Sequence, residues 1–60
     1  MDVSNYVGKY VRIDLTNGFY YEGLVLNTDD DSLELRDKFN KLILIKISSI
    51  SFLREVQNGN

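Results

Sequence analysis

Apolar and polar residues alternate strictly near the start of the chain, where Val11, Ile13 and Leu15 interleave with Tyr10, Arg12 and Asp14. That period of two is the pattern of a half-buried strand. Ahead of it, Val3, Tyr6 and Val7 fall on one side of a short helix that Asp2 or Ser4 would cap and Gly8 would end in a left-handed conformation. Asn17-Gly18 suits positive φ at both central positions of a tight hairpin, so residues 19–27 are expected to fold back antiparallel. Gly23 lies inside that second run, where a missing side chain permits a sharp bend or a bulge.

Thr28-Asp29-Asp30-Asp31-Ser32 reads as a polar turn, and Leu33-Glu34-Leu35-Arg36-Asp37 alternates again as a third strand. Leu42, Ile43, Leu44, Ile45 and Ile47 break the rule: this fourth run is apolar on both faces, which predicts burial on both sides. Ser48-Ser49 turns the chain into a fifth strand over residues 50–55. A short helix followed by five strongly bent antiparallel strands makes an all-β fold, a small five-stranded barrel. No Pro, repeat or low-complexity tract offers a linker, so residues 1–60 are read as a single domain with a disordered polar tail at 57–60.

Length changes the picture. Sixty residues bury apolar surface worth on the order of 90 kcal/mol, and ordering the chain costs about the same. Small domains escape this near cancellation with disulfides, a structural metal or self-association, and a chain without Cys or His lacks the usual ligands for the first two. The doubly apolar fourth run points the same way, since an uncovered edge of that kind aggregates unless another chain pairs with it. Absence of Cys and His also removes thiol nucleophiles and the side chain best suited to proton transfer near neutral pH, so no enzyme, cofactor or metal site is expected.

Seven Lys and Arg against nine Asp and Glu give a formal charge of −2, a poor footprint for a protein that neutralises many phosphates. Any nucleic-acid site must be local. The first thirty residues carry Lys9 and Arg12 against five acids, whereas the second thirty carry five bases against four acids. No apolar run approaches a membrane span and the N-terminus has no signal-like core, so a cytoplasmic protein is expected.

The order of these features resembles the Sm-like (LSm) family over residues 3–55. Val11-Arg12-Ile13-Asp14-Leu15-Thr16-Asn17-Gly18 matches the opening of its first motif, and Tyr21-Glu22-Gly23 follows with five residues from Gly18 to Gly23. Asp29 falls six further on, where the family places an Asp, and Leu33-x-Leu35-x-Asp37 resembles the closing strand. Departures are concentrated in the RNA pocket. Family members that bind RNA carry an aromatic or Met and a base-binding Asn in the loop that reads Asp29-Asp30-Asp31-Ser32 here, which leaves Ser32 with Asp31 nearest the Asn position. Their second motif holds a basic residue followed by Gly; here Ile45-Lys46-Ile47-Ser48-Ser49-Ile50 supplies Lys46 and no glycine.

The resemblance implies a homo-oligomeric ring of five to seven copies, with strand four of one copy paired to strand five of the next, binding single-stranded RNA as a chaperone or assembly platform. The alternative is a structural or protein-adaptor ring without RNA binding. RNA-binding candidates are Asp29, Asp31, Ser32 and Lys46; interface candidates are Leu42, Ile43, Leu44, Ile45, Ile47, Ile50, Phe52 and Leu53. Three adjacent carboxylates are also hard ligands of the kind Mg²⁺ or Ca²⁺ takes, although a solvated turn is the commoner role. Tyr20 and Phe39 are the aromatic residues expected to be least buried, and so the best placed to stack on bases. Arg12, Arg36, Lys38 and Lys41 are spread along strand faces and a loop, as solvated charges usually are.

Overall fold

In the computed structural model, which describes residues 2–57, the alternation of Val11 and Ile13 becomes strand β1, Tyr10–Leu15, with both side chains fully buried. Four strands follow: β2 Tyr20–Thr28, β3 Ser32–Arg36, β4 Leu42–Lys46 and β5 Ile50–Glu55. All neighbours run antiparallel in one sheet, in the order β4-β3-β2-β1-β5. The five expected strands are therefore present. Residues 58–60 of the expected tail lie outside the described residues.

The sheet is strongly curled but does not close, because β4 and β5 form its two edges. Its smallest dimension is 19 Å, about twice the ~10 Å spacing of packed sheet layers, so the sheet wraps over its own core. Val3, Val11, Ile13, Val25, Leu33, Leu35, Ile45 and Ile50 fill the inside of the curl. Two irregularities help it bend. The β2–β3 register shifts between Val25 and Asn27, and the β1–β5 register shifts between Asp14 and Leu15, where the Ser51 hydroxyl donates to the Asp14 carbonyl at 3.1 Å.

Gly23 serves the bend by close approach rather than by a bulge of its own. A Cβ there would run into the Arg36 carbonyl and come within 2.8 Å of Leu35 Cδ2, so only a residue without a side chain lets β2 fold over the end of β3.

The N-terminal segment departs from expectation. It forms a single 3₁₀ turn, Ser4–Tyr6, with no buried residue of its own; Val3 before it is buried in the core, Tyr6 packs against that core, and Val7 after it is exposed. A second turn does not form because Val7 is already extended (ψ 130°) and Gly8 takes the left-handed φ of +85°. The Asp2 carboxylate accepts from the Ser4 N–H at 3.0 Å and the Ser4 hydroxyl at 2.8 Å.

The first hairpin is also built differently. Gly18 alone has a positive φ (+92°), whereas Asn17 does not. The Leu15 N–H donates to the Phe19 carbonyl (2.8 Å), and the Gly18 N–H donates to the Leu15 carbonyl (3.0 Å). This is a three-residue loop closed by one left-handed residue. Asn17 contributes its side-chain oxygen, which accepts from the Phe19 N–H at 3.0 Å. Residues 37–41 repeat the arrangement with Asn40 (φ +66°) in the left-handed position. The Asp37 carboxylate accepts from the N–H groups of Phe39 and Lys41, both at 2.9 Å, so Asp37 staples this turn instead of extending β3.

In β4, Ile43 and Ile45 face the core, while Leu42 and Leu44 point away from it and are 59% and 73% exposed. Ile47 leaves the strand for a 3₁₀ turn, Ile47–Ser49, that leads into β5. No helix of the described residues is long and apolar enough to cross a membrane.

Candidate functional site

The β2–β3 turn and the C-terminal end of β4 meet at one corner. β3 and β4 pair with Ser32 opposite Lys46, and the Ile47 N–H donates to the Asp31 carbonyl at 2.8 Å. Asp30, Asp31, Ser32, Leu44 and Lys46 line a hollow of about 510 Å³. Three of the four RNA candidates, Asp31, Ser32 and Lys46, are thus brought together. Lys46 has no ion pair among the described residues, where the salt bridges are Lys9–Glu55 at 3.7 Å and Arg12–Asp14 at 3.1 Å.

Asp29, the fourth candidate, is turned back on its own loop. One carboxylate oxygen accepts from the N–H groups of Asp31 and Ser32, both at 2.8 Å, and from the Ser32 hydroxyl at 3.1 Å. Asp30 and Asp31 keep a negative φ, and this side-chain staple supports a turn that the backbone alone would close less well. The same bonds, led by those from the two backbone N–H groups, hold the Asp29 carboxyl below the ordinary aspartate range.

A pH dependence follows. A carboxyl with a lowered folded pKa stabilises the turn fully above the ordinary aspartate value of about 4 and loses that contribution as pH falls through the folded value. Amide signals of Asp31 and Ser32, followed by NMR through acid titration, are expected to move with a midpoint below that ordinary value. A midpoint at or above it would mean that the carboxylate does not hold the loop. Among the described residues no three metal-ligating side chains are gathered at one point, and the Asp29 carboxylate serves its own turn.

The interface candidates divide by face. Leu42, Leu44 and Phe52 (55% exposed) stand on the outer surface of the two edge strands. Ile45 and Ile50 are buried in the chain's own core, and Ile43, Ile47 and Leu53 pack against it, so the side chains of these five are taken up within the subunit.

A second surface lies at the opposite end of β3. Tyr20 and Phe39, the two stacking candidates, line one groove of about 370 Å³ together with Tyr10, Tyr21, Glu22 and Asp37. Phe39 is 78% exposed, the most of any large apolar residue described. Sequence patterning does not single out Tyr10 and Tyr21, because only the fold brings the start of β1 beside the 37–41 turn. Arg12 lies with its guanidinium carbon 3.9 Å from the centre of the Tyr20 ring, and its hydrogen bond with Asp14 raises its pKa further. Lys38 places its ammonium 5.6 Å from the centre of the Phe39 ring.

No family model matches the chain, and no curated protein matches it by sequence. Solved structures do match. A chain from the structural study of the Dcp1:Dcp2 mRNA decapping complex and its activation by Edc3 and Scd6 superposes with a TM-score of 0.83 at 26% identity, covering 98% of this chain and 64% of that one. This chain therefore spans just under two thirds of that neighbour's length. The crystal structure of the pleiotropic translational regulator Hfq superposes with a TM-score of 0.78 at 25% identity, covering 90% of both chains.

Proposed function

We propose that this chain, which has the Sm-like fold, is a cytoplasmic RNA-associated binding protein, not an enzyme, that assembles head to tail into a ring and holds single-stranded RNA at the Lys46 corner. The observation that carries the RNA assignment is the placing of Lys46 beside Ser32 and Asp31, at the end of an edge strand. A cyclic assembly repeats such a corner once per subunit, so one modest cation per copy becomes a ring of cations. Both neighbours support the reading, one a translational regulator and the other drawn from an mRNA decapping complex.

Asp30 and Asp31 line the same hollow, and they oppose phosphate. Binding should therefore be weak, with a salt dependence set by the few phosphates that Lys46 neutralises. Fluorescence anisotropy with labelled oligo-U and oligo-A is expected to give an affinity that falls as salt rises. Lys46→Ala should weaken it several-fold and flatten the salt dependence by about 0.7 in logarithmic slope for each phosphate left without its cation. Absence of binding at low salt, or a Lys46→Ala variant with unchanged affinity and slope, would remove the RNA assignment. In that case the acidic lining favours the second reading, an adaptor ring whose partners are proteins.

A further inference from the structure

We propose that the aromatic groove between β2 and the 37–41 turn is a docking site for an extended, arginine-bearing peptide segment of a partner protein. Register shows why the groove exists. β2 pairs with β1 from Tyr20 to Leu24, but β3 joins β2 only from Leu24 onward. Over residues 20–22, the side of β2 turned away from β1 has no strand beside it. Among the described residues, no other backbone bond engages Tyr20, Tyr21 or Glu22. An unpaired strand edge of this kind is a template for an added strand, which gains main-chain hydrogen bonds regardless of sequence.

Side chains around that edge set the specificity. Tyr10, Tyr20, Tyr21 and Phe39 supply aromatic rings, and Glu22 and Asp37 supply carboxylates against the single ammonium of Lys38. The lining charge is −1. Rings beside carboxylates attract a cation, by the ring quadrupole and by Coulomb attraction together. The fold displays this preference with its own residues, since the Arg12 guanidinium rests on Tyr20 and the Lys38 ammonium lies over Phe39. Arg12 is itself balanced by Asp14 at 3.1 Å, so it leaves the acidic balance of the groove unchanged. A base-stacking platform for single strands needs rings set in a positively charged groove, and this one has the opposite sign. The volume of about 370 Å³ is at the small end of ligand sites, suited to one or two side chains rather than a folded partner.

The test uses a fluorescein-labelled peptide of alternating Val and Arg, its Val-Gln counterpart, and unlabelled oligo-U as competitor. Anisotropy is expected to show binding of the Val-Arg peptide at least tenfold tighter than the Val-Gln peptide. Phe39→Ala changes no charge and removes a solvent-exposed ring, so the fold should survive, as circular dichroism will verify. Its binding should fall about tenfold, and Glu22→Gln should act in the same direction. Lys46→Ala should leave peptide binding untouched, which separates this site from the RNA corner. Equal affinity for the two peptides, or full affinity in folded Phe39→Ala, would overturn the proposal. Displacement of the peptide by oligo-U that Phe39→Ala abolishes would also overturn it, and would reassign the groove to nucleic acid.

Discussion

Gly23→Ala is expected to destabilise this protein by roughly 3 kcal/mol. The added methyl has no space: it meets the Arg36 carbonyl oxygen and carbon and reaches 2.8 Å from Leu35 Cδ2. Neither neighbour is free to retreat. Arg36 is tied into the β2–β3 ladder opposite Leu24, and Leu35 is fully buried. Overpacking of this kind costs roughly 3 kcal/mol, the upper end of its usual range. Sixty residues hold only about 3–9 kcal/mol of net stability, so that loss removes a third or more of it. Urea titration followed by circular dichroism, at matched protein concentration because assembly adds stability by mass action, should show a lower midpoint. Gly18→Ala is the informative comparison. Nothing lies within 4 Å of a Cβ at that position, so its cost is only the left-handed φ, about 1–2 kcal/mol. A Gly23→Ala variant no less stable than Gly18→Ala would show that the bend of β2 does not depend on the close approach.

The same residue marks how far the sequence can be read. A glycine in the middle of a strand-like run has few roles, and both the bend and the all-β class are legible from it and from the alternation of Val11 and Ile13. Elements set by local side-chain periodicity come through. What does not come through depends on dihedral angles and register, which composition leaves open. The run Asp29-Asp30-Asp31 reads as charge, yet its first member is a hydrogen-bond staple for the turn, and only the loop's geometry distinguishes the two. Asp37 reads as the last residue of a strand because it follows the alternation of Leu33 and Leu35, but its carboxylate caps two backbone N–H groups of the next turn. Likewise, Tyr20 and Phe39 can be picked out as exposed rings, while the groove that joins them arises from β2 outrunning β3. Pairing lengths are a tertiary property, and no pattern along one strand encodes them.

On the proposed ring assembly, Leu44→Asp is expected to yield separate 6.9 kDa subunits without unfolding them. β4 and β5 are the two ends of the sheet, so each subunit presents two unpaired backbone edges. Pairing β4 of one copy with β5 of the next also sets Phe52 on the same outer surface as Leu42 and Leu44 of its neighbour, and these three side chains are otherwise 55%, 59% and 73% exposed. Burying one leucine contributes about 1.5–3 kcal/mol. Replacing it with a carboxylate forfeits that gain and requires a charge to be desolvated at the junction; the new carboxylate also faces Glu34, its cross-strand partner in the same subunit, a cost that assembled and isolated subunits share. In a closed ring the change recurs at every junction, so a modest local penalty is multiplied by the subunit number. Because Leu44 lies outside the core, the isolated subunit should keep its circular dichroism spectrum. Size-exclusion chromatography with light scattering reads the outcome directly: the unaltered protein should elute at a multiple of 6.9 kDa and Leu44→Asp at the subunit mass. An unaltered protein that is monomeric at micromolar concentration would sink the ring, whereas a Leu44→Asp variant that stays assembled would mean that the junction rests on backbone pairing and on Phe52 without this side chain.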